Sequence, residues 1–261
     1  MCPSGLLIVG HGTRDERGVA EFLGLVNQIR PLMGDTLVEP SFLELAQPSI
    51  AEGLQRLVGQ GVGEAVVLPL LLFAAGHVRK DIPMAVAQAT KPYPGLRVQQ
   101  VSHLGCNPRI VELSQRRYDE ILAGRPPVSP EQTLLLLVGR GSRDRRATEE
   151  MLQFASLRRE TTSVGHIETC FAAMERPSLA EMLPRVAEWP LRRIVVQPHL
   201  LFPGHLATKI RAAAEHQQAQ RPAIDWLVTE PLGADRLLAE VVVEIAAEAV
   251  EPTNAQRRRP G

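Results

Sequence analysis

The chain carries nearly the same message twice, and this constrains its fold more than any other feature. GLLIVGHGTRD (5–15) matches LLLLVGRGSRD (134–144), EPSFLELAQPSIAE (39–52) matches ETCFAAMERPSLAE (168–181), and VVLPLLLFAAGH (66–77) matches VVQPHLLFPGH (195–205) with one residue fewer. A fourth block, HLG at 103–105 against PLG at 231–233, keeps the order. The offset is 129 residues for the first two blocks, since Arg140 answers His11 and Pro177 answers Pro48. Four blocks in one order, at an offset that slips by a single residue, indicate duplication, and repeats of this length are domains rather than solenoid units. A length of 261 residues with 44% hydrophobic content permits either one large core or two ordinary ones, so the repeat decides for two.

Within each copy, short apolar runs alternate with longer amphipathic stretches, the pattern of βα units around a buried parallel sheet. Strands are expected near 5–10, 36–43, 64–72 and 96–101, and again near 133–139, 164–172, 192–201 and 224–229. The expected fold is α/β: two tandem Rossmann-like lobes, each a four-stranded parallel sheet flanked by helices, related by a pseudo-two-fold. The expected domains are 1–122 and 133–250. The Pro-rich, aperiodic stretch 123–132 reads as a linker and 251–261, ending in RRRPG, as a disordered tail.

Lys plus Arg equal Asp plus Glu at 29 each, which leaves no net field for a nucleic-acid backbone or an acidic membrane surface. Cys2, Cys106 and Cys170 are odd in number and form no CxxC pair, which argues against a disulfide framework and fits a reducing cytoplasm. No basic leader and no long apolar run is present, so the reading is of a soluble, unsecreted protein.

In open α/β sheets ligands bind beyond the carboxyl ends of the strands. Three chemically capable residues close strands there in the first copy: His11 in a Gly-His-Gly turn, Glu44 in FLELAQP, and His77 in LLLFAAGH. Asp81 and Pro83 follow His77 as an expected helix cap and first-turn residue. Two imidazoles and a carboxylate suit cobalt, iron, nickel or zinc better than calcium or magnesium, and the same groups move protons. The second copy has Arg140, Ala173 and His205 at these positions. A guanidinium stays protonated and cannot ligate a metal, so that copy is degenerate. Its Arg140, His205 and His199, which replaces Leu70, are expected to line the cleft facing the first site, where donor groups suit a carboxylate-bearing ligand.

GHGTRD after the N-terminal strand, FLELAQPSI, and LPLLLFAAGHVRKDIP together resemble the class II sirohydrochlorin chelatase family in its long, fused form, and the likeness covers both copies. The resemblance implies ATP-independent insertion of Co2+ or Fe2+ into sirohydrochlorin, toward cobalamin or sirohaem, with the metal as substrate and no organic cofactor. It also implies a monomer acting as its own pseudo-dimer. His11 and His77 carry over as catalytic and metal-handling residues, and Glu44 as third ligand or proton acceptor. Arg14, Arg79, Lys80, Arg140, Arg143 and Lys209 are expected anchors for the carboxylates of the substrate. Two other readings are a tetrapyrrole or metal carrier on the same fold, and a histidine phosphatase. The latter begins with RHG, and Gly10 stands where its phosphate-binding arginine belongs.

Overall fold

The computed structural model describes residues 3–73 and 76–257, with the backbone alone for residue 77 and residues 250–257. All eight expected strands form: β1 (Ser4–Gly10), β2 (Leu37–Phe42), β3 (Glu64–Pro69), β4 (Arg97–Gln100), β5 (Thr133–Gly139), β6 (His166–Phe171), β7 (Arg193–Pro198) and β8 (Asp225–Val228). They build two all-parallel sheets in the orders β2-β1-β3-β4 and β6-β5-β7-β8. The central strands are apolar throughout, LLIV in β1 and LLLLV in β5, because both faces of each sheet are covered.

The helices are α1 (Glu16–Ile29), α2 (Ile50–Gly59), α3 (Ile82–Thr90), α4 (Pro108–Leu122), α5 (Arg145–Thr161), α6 (Leu179–Val186), α7 (His205–Gln220) and α8 (Arg236–Arg257). Among the described residues, no helix is long and apolar enough to cross a membrane.

Two compact units result, and their boundary differs from a cut at the 123–132 stretch. Unit 1 comprises residues 1–107 together with 234–261, and unit 2 comprises residues 108–233. Each sheet therefore keeps the three helices of its own crossovers but takes its last helix from the other repeat. In unit 1, α2 and α3 pack on Leu7, Val9 and Val67, while α1 packs with α8, which also lies against β3. In unit 2, α6 and α7 cover Leu134, Leu136 and Val138, and α4 packs with α5. The stretch from Glu251 continues α8 as far as Arg257; the remainder of the tail lies outside the described residues.

The exchanged helices meet chemically different surfaces. In unit 2 the buried Arg158 of α5 donates through Nε to Ser114 Oγ of α4 at 3.0 Å and through Nη1 to Gln115 and Thr162. Gln197 of β7 donates to the Ser114 carbonyl at 2.7 Å. Burial pulls the Arg158 guanidinium down to about 10, which still leaves it charged at neutral pH. At the matching places in unit 1 stand Ile29, Leu68 and, on α8, Val242, all buried. A helix carrying Ser114 and Gln115 would leave these groups unpaired on the apolar surface of unit 1. A helix carrying Val242 would strand Arg158 in unit 2. Each mismatch leaves buried polar groups without partners, at roughly 1–3 kcal/mol apiece.

Candidate active site

The carboxyl edge of the first sheet is built by extending its hydrogen bonding past the strands. Leu43 N–H donates to Gly10 O at 2.9 Å and Glu44 N–H to His11 O at 3.1 Å, so the two chain segments run side by side beyond β1 and β2. This sets His11 Nδ1 3.4 Å from Glu44 Oε1. The imidazole is 19% exposed and the carboxylate 51%, so one is sheltered and the other faces solvent. A carboxylate beside Nδ1 favours the tautomer protonated there, which leaves the Nε2 lone pair to take a proton or a metal.

Gly12 makes this approach feasible. Its φ is 99°, and a Cβ at that position would overlap the Glu44 carbonyl oxygen. Thr13 and Asp15 of the GHGTRD motif are scaffolding. Thr13 Oγ1 accepts from Asp15 N–H at 3.1 Å, and Asp15 then caps α1 by accepting from Arg17 N–H at 3.0 Å. Ser142 and Asp144 make the same two bonds at 3.0 and 3.1 Å in the second copy, and Gly141 has the same clash with the Ala173 carbonyl. Ser49 with Glu52, and Ser178 with Glu181, form matching capping boxes. The residues shared by the two copies thus hold the loops, and the positions that differ, His11 against Arg140 and Glu44 against Ala173, are the ones where the chemistry of the two copies diverges.

His77 opens a π-helical turn (His77–Asp81) that leads into α3. Because β3 is parallel to β1, the residue belongs to the same edge of the sheet as His11 and Glu44. The turn is tied to β4 by Gln100 Nε2, which donates to the Val78 carbonyl at 2.9 Å. Asp81 stands at the cap position of α3 but makes no capping hydrogen bond, since the π turn already gives it a helical backbone, φ −73° and ψ −45°. Among the described residues, no group of three or more His, Cys, Asp or Glu side chains forms a metal cage.

Of the expected anchors, Arg14, Arg79, Lys80, Arg140, Arg143 and Lys209 are all exposed, as is His205 at the start of α7. His199 is not available to a ligand. It is 2% exposed, its ring centroid lies 3.9 Å from that of Phe154, and burial, aided by the Arg158 charge, lowers its pKa to about 3. The expectation that it lines a binding cleft is corrected accordingly: it fills the core place that Leu70 occupies in unit 1.

One feature of the edge has no sequence signature. Leu45, next to Glu44, has φ 65°, and Ala46 N–H donates to Glu44 O at 2.8 Å, which makes a γ-turn of the left-handed kind. Met174 repeats it with φ 58° and a 2.8 Å bond from Glu175 N–H to Ala173 O. For a residue other than glycine or asparagine this backbone costs roughly 1–3 kcal/mol.

The CbiX family model matches residues 5–121 and 134–249. The chain is 29% identical over 237 residues to a sirohydrochlorin ferrochelatase of Priestia megaterium, covering 91% of this chain and 87% of the relative. It is 28% identical over 248 residues to a sirohydrochlorin cobaltochelatase of the same organism, covering 94% and 80%. The structure of SirB from Bacillus subtilis with Fe3+ superposes with a TM-score of 0.85 at 26% identity, covering 97% of this chain and 98% of that one.

Proposed function

This chain belongs to the CbiX family, and from that premise we propose that it inserts Co2+ or Fe2+ into sirohydrochlorin without nucleotide hydrolysis, using one site in unit 1. The observation that carries the one-site reading is the 3.4 Å approach of His11 Nδ1 to Glu44 Oε1, at positions where the second copy has Arg140 and Ala173. Metallation must remove two pyrrolic N–H protons while a cation reaches the ring centre. A neutral imidazole accepts a proton or holds the metal near neutral pH. Glu44 fixes the His11 tautomer and, being half exposed, passes protons to solvent. His77, on the same sheet edge, is the second imidazole of the set. The exposed Arg14, Arg79, Lys80, Arg140, Arg143, His205 and Lys209 serve as donors to the substrate's carboxylates.

We further propose that the chain works as a monomer in the cytoplasm, duplication having supplied in one polypeptide what two short chains would provide. Light scattering that found a stable dimer would oppose this. The assay for the function is anaerobic absorbance spectroscopy of sirohydrochlorin with Co2+ or Fe2+. Protein at a small fraction of the tetrapyrrole concentration should speed formation of the metallated spectrum. A carrier on the same fold would bind tetrapyrrole yet leave the spontaneous rate unchanged, and that result would end the chelatase reading.

A further inference from the structure

We propose that Gln100 is a positioning residue of the active site: by holding the π-helical turn that opens at His77, it sets where that histidine stands at the edge of the first sheet. This rests on the chelatase reading, in which His77 is the second imidazole.

Pro83 accounts for the turn. Residues 77–81 run into α3 without a break, so Pro83 stands inside one continuous helical stretch, where its ring crowds the carbonyl of Arg79 and supplies no N–H. A π turn, wider than an α turn, accommodates the ring. In the π pattern the carbonyl of one residue pairs with the N–H five residues on. For Val78 that residue is Pro83, so the helix has no donor for the Val78 carbonyl. Gln100 supplies one from β4, Nε2 to O at 2.9 Å. The residue next to His77 is thereby bonded to a strand that pairs with β3.

The second unit is the internal control. Gln100 pairs in register with Val67, and Val228 pairs with Val196, the counterpart of Val67, so valine fills the same place on β8. Arg211 stands where the first copy has Pro83, Leu206 stands where it has Val78, and α7 runs as a plain α-helix from His205. Proline, π turn and glutamine are present together in the unit with His11 and Glu44, and absent together from the unit with Arg140 and Ala173. The two units keep the same histidine and differ in how it is carried. Packing does not account for Gln100 either. Its Oε1 is buried and accepts no hydrogen bond among the described residues, a cost that valine at this place would not carry. A reacting group displaced by about 1 Å can lose about 100-fold in rate, so an imidazole on the first residue of a turn depends on what fixes that turn.

The test places Gln100→Met, which keeps the length and loses the donor, and Gln100→Val, the residue of the second unit, in the full chain and again in the His77→Ala background. Single-turnover metallation of sirohydrochlorin by Co2+ is followed by absorbance, alongside steady-state KM for tetrapyrrole and Tm. Both variants are expected to lower the metallation rate about tenfold or more, with tetrapyrrole KM within about twofold of wild type. In the His77→Ala background the same substitutions should change the remaining rate by less than about twofold, since a residue that acts through His77 has nothing left to position. A purely structural glutamine would instead cost the same factor in both backgrounds. That result overturns the proposal, as does a wild-type rate in both Gln100 variants, or a rate loss that matches the fraction unfolded at the assay temperature. If the wild-type chain does not metallate sirohydrochlorin, or His77→Ala does so at the wild-type rate, the functional reading fails and Gln100 loses its role with it. An impaired His77→Ala beside unimpaired Gln100 variants sinks the role of Gln100 alone.

Discussion

The backbone carbonyl of Glu44 occupies the space in which any side chain at Gly12 would begin. Only a glycine at this position, with φ 99°, lets the chain after β1 lie close enough to the chain after β2 for His11 and Glu44 to meet. Gly12→Ala is expected to push the segments apart, to lower stability by at least about 2 kcal/mol, and to remove chelation. Gly141→Ala should cost similar stability in unit 2 and leave a larger share of activity, since Arg140 and Ala173 form no such pair. Thermal melts beside metallation rates check both.

Replacing His11 or His77 by alanine should lower the metallation rate by at least about 100-fold, the loss expected for a residue that moves protons or positions the cation. His205→Ala should lose less than about tenfold, because its copy lacks the imidazole and carboxylate partners. Equal losses at all three positions in single-turnover assays would contradict the one-site reading.

Arg158 binds α4 to α5 through Ser114 and Gln115, and its guanidinium is also held by Thr162 at the end of its own helix. Arg158→Ile alone is expected to destabilise by about 2–4 kcal/mol, because it strands buried partners. Transplanting the set found in unit 1, Arg158→Ile with Ser114→Val, Gln197→Leu and His199→Leu, should recover most of that loss. Urea unfolding of the single and quadruple variants measures the difference. No recovery would mean that the polar set does more than pair a helix with its sheet.

His199 gives a pH signature of stability. Its folded pKa, lowered to about 3 by burial, lies below the ordinary value of 6.5, so the folded state stays neutral where the unfolded chain takes up a proton. Its contribution is full above 6.5 and is lost progressively as pH falls from 6.5 toward 3, with a slope approaching about 1.4 kcal/mol per pH unit. His199→Leu should flatten the stability profile across that window, as read by denaturant unfolding at a series of pH values.

Hydrophobic alternation and the repeat made the strands and their parallel order legible in the sequence, since both depend on local pattern and on one topological rule. The meeting of His11 and Glu44 was legible for the same reason: residues that close neighbouring parallel strands share an edge. His199 misled because a histidine in place of Leu70 suggests gained chemistry, although a place filled by leucine in the sister copy is a core place. Helix exchange was hidden because α4 and α8 each follow a complete set of strands and each carry an apolar stripe. Ser114 and Tyr118, buried on the inward side of α4 where α8 has Val242 and Ala246, were the available hint. The turns at Leu45 and Met174 left no trace, since a positive φ in such residues is imposed by surrounding hydrogen bonds and not by their own preference.

The exchanged last helix also fixes an order of events during synthesis. Unit 2 is one unbroken stretch, residues 108–233, and has every strand and helix it needs once residue 233 has left the ribosome. Unit 1 precedes unit 2 in the sequence yet lacks α8 until the residues after 233 have been made. The half that bears His11 and Glu44 is therefore the last to close, and the face of its sheet that α1 shares with α8 waits only partly covered while unit 2 is already complete.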